Sequence, residues 1–162
     1  MTELISKKDI PECVEVIRKS FRTVAEEFGF TEENAPAFTA FSTTEGKLTY
    51  QLETEKRTMC AYRLTDGSIA GYYSLVWLDN GRCELSNLCV LPKYRHSAIG
   101  SALLEDAVKR AKEKGCTVME IGIVEENTQL RSWYESKGFV HTGTKKFDFF
   151  PFTCGYMELS LT

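Results

Sequence analysis

Leu85-Ser-Asn-Leu-Cys-Val-Leu-Pro-Lys-Tyr-Arg-His-Ser-Ala-Ile-Gly-Ser-Ala-Leu-Leu104 reads as a half-buried strand, a short turn containing Pro92, and a tight loop that opens directly onto a helix. A helix start leaves about four backbone N–H groups without intrahelical partners and carries a partial positive charge. A loop that bares those donors beside small residues is a seat for phosphate. Arg95-His-Ser-Ala-Ile-Gly-Ser101 has that form, with Gly100 and Ser101 at the helix entrance and Arg95 as a fixed cation. The first expectation is a phosphate-bearing ligand at this turn.

Working outward, Thr58–Leu64 and Ser68–Leu78 are strand-like runs separated by Thr-Asp-Gly, and Asp79-Asn-Gly81 turns the chain into Arg82–Val90. After the loop, apolar residues at 99, 102, 103, 107, 108 and 111 line one stripe of a helix that runs to about Lys114. Cys116–Val124 is β-rich, Asn127–Lys137 reads as a short helix, and Phe139–Phe147 and Thr153–Leu161 alternate as strands. On the N-terminal side, residues 2–6 suit a short strand. Asp9 with Pro11 then opens a helix whose apolar positions are 10, 13, 14, 17, 21, 24 and 28, with Gly29 as its stop. Phe30–Thr44 reads as an irregular loop and Glu45–Glu55 as another short helix. The order β-α-α-β-β-β-α-β-α-β-β predicts an α/β (α+β) fold: a mixed, mostly antiparallel central sheet covered by helices. No repeat or linker divides the chain, so residues 1–162 are expected to form one domain.

Composition narrows the function. Apolar residues at 43% and charged residues at 27% suit an ordinary globular protein. No apolar run approaches the roughly 18 residues of a membrane span, and Met1–Asp9 lacks a charged-then-apolar export signal. A cytoplasmic location without membrane association is expected. A net charge of −3 argues against nucleic acid as the partner. Residues 1–55 hold 6 basic and 11 acidic side chains, the remainder 14 and 12, so a cationic ligand suits the first part and an anionic one the second. Six cysteines without a C-x-x-C pair read as reduced and mostly buried. The two histidines, His96 and His141, have no metal-ligand partner at short spacing, so no metal is expected.

There is no G-x-x-x-x-G-K-[ST] and no G-x-G-x-x-G, which removes the nucleotide-hydrolysing P-loop and the dinucleotide fingerprint. What remains is R-x-x-A-x-G after Glu84-Leu-Ser-Asn-Leu-Cys-Val90, followed by Asn127-Thr-Gln-Leu-Arg-Ser-Trp-Tyr134-Glu-Ser-Lys-Gly-Phe139. Strand, loop, helix, strand, Asn, Tyr and Gly-Phe stand in the order and approximate spacing of the GCN5-related N-acetyltransferases (GNAT), which the chain resembles from about residue 68 to its end.

The resemblance implies acetyl-CoA as cosubstrate, its pyrophosphate held by the backbone of Arg95, His96, Ser97, Ala98, Ile99, Gly100 and Ser101. Cys89 and Val90 match the end of the strand that splays from its neighbour and pairs with pantetheine. An amide near Leu88 to Val90 would polarise the acetyl carbonyl. Asn127 matches the polar residue that contacts the pantetheine arm. Tyr134 matches the tyrosine that protonates the departing thiolate. Glu84, eleven residues before Arg95, matches a strand glutamate that serves as base, directly or through a water it orients. Dimers are common in such a family. Ala98 departs from the usual Gly of the motif and costs on the order of 1 kcal/mol if that position needs positive φ.

The chemistry stands beside the resemblance. An alkyl amine of pKa near ~10 is protonated at neutral pH and cannot attack a thioester until a base takes its proton. Tyr is a suitable neutral donor for the leaving thiolate, and one cleft holding both reactants removes the bimolecular penalty. Cys89 as an acyl-carrying nucleophile is unnecessary to direct transfer. The expected function is acetyl transfer to a primary amine of a small molecule or peptide. The alternatives are a non-catalytic acyl-CoA sensor and a transferase for a longer acyl group.

Overall fold

Asp9 precedes the first long helix, Pro11 fits its first turn because the missing N–H has no partner there, and Gly29 ends it with φ +73°. This helix, α1 (Ile10–Phe28), follows β1 (Thr2–Leu4) and a 3-10 turn at Lys7–Asp9 in the computed structural model, which describes residues 1–162. Then come α2 (Thr39–Ser42), α3 (Glu45–Glu53), β2 (Thr58–Arg63), β3 (Ile69–Trp77) and β4 (Arg82–Val90). The chain ends with α4 (Ile99–Glu113), β5 (Val118–Val124), α5 (Thr128–Ser136), β6 (Val140–Lys146) and β7 (Thr153–Ser160). The expected elements are present, with one addition. The loop 30–44 contains the single turn α2, because Phe38 and Ala40 are buried in an aromatic cluster with Phe30 and Phe152. Thr44 then caps α3, its Oγ1 accepting from Lys47 N at 3.1 Å.

The seven strands form one sheet in the order β1-β2-β3-β4-β5-β7-β6. Every pairing is antiparallel except β4 with β5, the two strands joined by the α4 crossover. Alternation along the strands separates two packed layers. Ile10, Cys13 and Ile17 of α1 and Leu48 of α3 pack on Met59, Ala61, Tyr72 and Cys89. Leu103, Leu104 and Ala107 of α4, with Tyr134 of α5, pack on Tyr73, Leu85, Met119 and Met157 of the other face. No helix is long and apolar enough to cross a membrane. All six cysteines are unpaired, and Cys13, Cys60, Cys83 and Cys89 are buried.

Two irregularities prepare a site. The β4–β5 ladder holds only for Arg82↔Val118, Cys83↔Met119 and Glu84↔Glu120. Asn87 then takes φ +56°, the β3–β4 register slips between Tyr72 and Ser74, and β4 bends away. Gly71 permits the crowding at that bend, since a Cβ there would stand 2.7 Å from Leu103 Cδ1 and 2.9 Å from the Cys89 carbonyl oxygen.

Candidate active site

The turn after β4 is built from a 3-10 turn at Pro92–Tyr94 and two left-handed residues, His96 (φ +65°) and Ala98 (φ +68°), before α4 begins at Ile99. Alternation of left-handed residues with their neighbours folds the chain into a concave strip of N–H groups. The backbone amides of the six residues His96, Ser97, Ala98, Ile99, Gly100 and Ser101 have no acceptor within the protein. Ser97 Oγ donates to the Tyr94 carbonyl and pins the strip from below. Ala98 thus occupies the strained conformation its departure from Gly foreshadows, at a cost of about 1 kcal/mol. Lys137, on the residue that follows α5, places Nζ 2.8 Å from Ser101 Oγ and over the Trp133 ring. The sequence reading did not single out this cation.

Arg95 corrects an expectation. Its guanidinium turns away from the amide strip and clamps α1: Nε donates to Val90 O (3.1 Å), Nη1 to Thr23 Oγ1 (2.8 Å) and Nη2 to Ser20 O (2.8 Å). Its own amide donates to Pro92 O. The half-buried guanidinium is satisfied by two acceptors in α1 and one in β4, and the positive field at the turn comes from amides and Lys137 instead.

From Leu85 to Val90, β4 has no ladder partner on its β5 side. This parting contains the backbone of Leu88, Cys89 and Val90. Cys89 points to the α1 layer, where burial pushes its thiol up to about 12, so it carries little thiolate at neutral pH. Tyr134 of α5 is held edge-on between Trp133 (5.0 Å between centroids) and Phe139 (5.2 Å). Burial, and secondarily the Cys89 sulfur, raise its pKa, so the phenol stays protonated. Asn127 commits its side-chain oxygen to capping α5, accepting from Leu130 N at 3.2 Å, and leaves its Nδ2 donors free.

Where β4 and β5 still pair, the α1-side face of the sheet forms a cleft of about 350 Å³ lined by Glu84, Glu120, Gly122, Thr142, Thr144, Tyr156 and Glu158 among others. Glu84 is in register with Glu120, and Glu120 with Glu158, so three carboxylates lie side by side across β4, β5 and β7. Adjacent strands stand about 4.8 Å apart, so the row spans roughly 10 Å. Arg82, in the neighbouring row, donates through Nε to Glu120 Oε2 (2.9 Å) and through Nη2 to Glu158 Oε1. Glu84 has no such partner. Burial first and Glu120 second raise its pKa, against an opposing pull from Arg57. Strand alternation marks Glu120 and Glu158 as facing away from the core, but their alignment with Glu84 depends on inter-strand register, which sequence does not encode locally. His141, outside this row, pairs through Nε2 with both Glu125 oxygens (2.8 and 2.9 Å). His96 makes no side-chain hydrogen bond.

Comparison with known proteins agrees with this architecture. Residues 21–139 match the Acetyltransferase (GNAT) family. An uncharacterised N-acetyltransferase of Lactobacillus delbrueckii subsp. lactis is 26% identical over 145 residues, covering 83% of this chain and 80% of that protein. A spermidine N(1)-acetyltransferase of Thermoplasma acidophilum is 26% identical over 148 residues, 90% of this chain and 91% of its own. Among solved structures, the PaiA N-acetyltransferase of Thermoplasma acidophilum in complex with coenzyme A superposes with a TM-score of 0.81 at 21% identity, covering 99% and 98% of the two chains. YncA of Salmonella typhimurium, solved with its cofactor acetyl-CoA, gives 0.77 at 19% identity over 100% and 94%. With a mixed sheet that parts between β4 and β5 and an amide-lined turn at the mouth of that parting, the chain belongs to the GNAT family of acetyltransferases.

Proposed function

We propose that the protein transfers the acetyl group of acetyl-CoA to a primary amine of a cationic small molecule, by direct attack within a ternary complex. The observation that supports this reading best is the line formed by three features: the unpartnered amides of residues 96–101, the parting beside Leu88–Val90, and the carboxylate row that begins at Glu84. The diphosphate of the coenzyme lies on the amide strip, with Lys137 beside it and Asn127 Nδ2 toward the pantetheine arm. The pantetheine runs along the unpaired edge of β4 and brings the thioester to the end of the parting.

The acceptor enters from the α1 side, where the three glutamates outnumber Arg82 and favour a cation. Its ammonium gives a proton to Glu84, directly or through a water, and the freed amine attacks the thioester carbonyl. A backbone N–H of Leu88–Val90 receives the developing oxyanion. The C–S bond then breaks, Tyr134 protonates the thiolate, and the proton carried by the nitrogen restores the phenol. The sum is R–NH3⁺ and acetyl-CoA giving the N-acetyl amine, CoA-SH and one proton. The polyamine named for the Thermoplasma relative fits the length and charge of the row.

The test is thiol release from acetyl-CoA against amines graded in charge, with spermidine and simple diamines expected to respond above neutral or acidic amines. In Tyr134→Phe, kcat should drop on the order of 10²-fold while acetyl-CoA binding holds. Binding of CoA by the wild type with no thiol release from any amine overturns transfer in favour of sensing.

A further inference from the structure

Three rows of residues cross β5 and β7 on the face that carries the cleft. Glu120 pairs with Glu158, Gly122 with Tyr156 and Val124 with Cys154. Alternate residues share a face, so successive rows stand about 7 Å apart. The first row is acidic and continues to Glu84 on β4. The third is apolar: Val124 is buried in the aromatic cluster with Phe30, Phe38 and Phe152, and Cys154 packs against it. The middle row therefore stands between charge and hydrocarbon.

That row is nearly bare. Tyr156 is in register with Gly122 on β5 and with Gly143 on β6, so a glycine flanks it on either side. A Cβ at Gly122 would lie 3.9 Å from Tyr156 Cε1, so the ring leans toward β5; a Cβ at Gly143 would meet nothing within 4 Å. Glycine weakens the interior of a strand, and one use of it there is the close approach of a ligand. Gly122 is exposed between the buried Ile121 and Ile123. Both glycines and Tyr156 line the cleft of about 350 Å³, and Thr142 and Thr144 bound the space above Gly143, which is one residue wide. Tyr156 is 37% exposed. Burial first, then Cys154 and Glu84, raise its pKa, so the ring stays neutral beside the acidic row.

We infer that Tyr156 is a specificity-determining residue for the acceptor, and that the glycine-flanked slots beside it admit a linear aliphatic diamine or polyamine. An ammonium faces Glu84, Glu120 and Glu158, while the methylenes behind it cross the phenol ring and the open backbone of Gly143. An aromatic face attracts an alkylammonium, and a slot one residue wide excludes branched and cyclic amines. The inference deepens the proposed function and rests on its placing the acceptor in this cleft.

Calorimetric titration of spermidine into the protein loaded with CoA needs no turnover. Tyr156→Leu should weaken binding about 5- to 30-fold, the range of a partly desolvated cation–π contact. Tyr156→Phe, which restores the aromatic face, should recover most of that loss. In acetylation the loss should fall on KM rather than kcat. Gly143→Val fills empty space, so Tm should hold or rise while spermidine binds about tenfold more weakly. Propylamine, too short to cross the ring, should lose much less. Equal losses in the Phe and Leu variants overturn the inference, as do equal losses of spermidine and propylamine in Gly143→Val or a wild type that binds no spermidine. If these effects appear in binding but no amine is acetylated, the transfer reading falls and the inference stands.

Discussion

Replacing Arg95 by Ala is the sharpest test of how the amide turn is held. The guanidinium makes three hydrogen bonds, two to carbonyls and one to the Thr23 hydroxyl. A hydrogen bond to a charged group contributes about 1.5–3 kcal/mol when buried, nearer 0.5–1 when solvent shares the site. For a half-buried side chain whose Ser20 acceptor also receives Thr23 Oγ1, the total comes to about 2 kcal/mol. In a chain of this length that lowers Tm by roughly 4–8 °C. Chemical denaturation should show the loss as a lower midpoint at unchanged slope. Thr23→Val should cost about 1 kcal/mol in the wild type and less in the Arg95→Ala background, where only the Thr23 bond to the Ser20 carbonyl remains to be lost. The KM for acetyl-CoA should rise only as far as loosening of the turn allows. Unchanged stability together with a tenfold or larger rise in KM would show that the side chain holds phosphate and that the clamp carries no weight.

The pH behaviour of Glu84 follows from its environment. Its folded pKa lies above the unfolded value, so its contribution is complete below the unfolded value and is lost as pH rises through the folded one. Glu84→Gln should therefore be more stable than the wild type at neutral pH and gain nothing in acid, while kcat/KM falls on the order of 10²-fold or more. In the wild type, activity should decline on acidification at a pH above the ordinary glutamate range; melts and rate profiles over the same buffers read both effects. Gly71→Ala forces a methyl against the Cys89 carbonyl and Leu103 and should cost about 1–3 kcal/mol; a melt at wild-type temperature would mean that β4 is free to shift.

Local patterns carried the fold. The period of α1, the Thr-Asp-Gly and Asp-Asn-Gly turns and the alternation of β7 each depend on neighbours a few residues away, and each element stands within a few positions of where those signals lie. The helix entrance at Ile99 was legible for the same reason. What stayed hidden depends on distant partners. The guanidinium of Arg95 finds acceptors 72 and 75 residues away, which nothing near position 95 announces. The alignment of Glu84, Glu120 and Glu158 needs the pairing of three strands. α2 forms because Phe38 and Ala40 can bury in the cluster that holds Phe152, not because Thr-Ala-Phe-Ser favours helix. Lys137 gained its place from the docking of α5 beside α4.

The sheet is two plates riveted at one end. β1–β4 form one and β5, β7 and β6 the other, joined by three residue pairs at the base of β4 and by the helix that crosses over. A slender polar chain lying in the wedge replaces the rungs that backbone cannot supply, so cargo and stiffness rise together. A chain so seated would turn the parted sheet into a continuous wall. On the proposed function, that makes the coenzyme a splint across the parting, and the amine meets a wall that the coenzyme has completed.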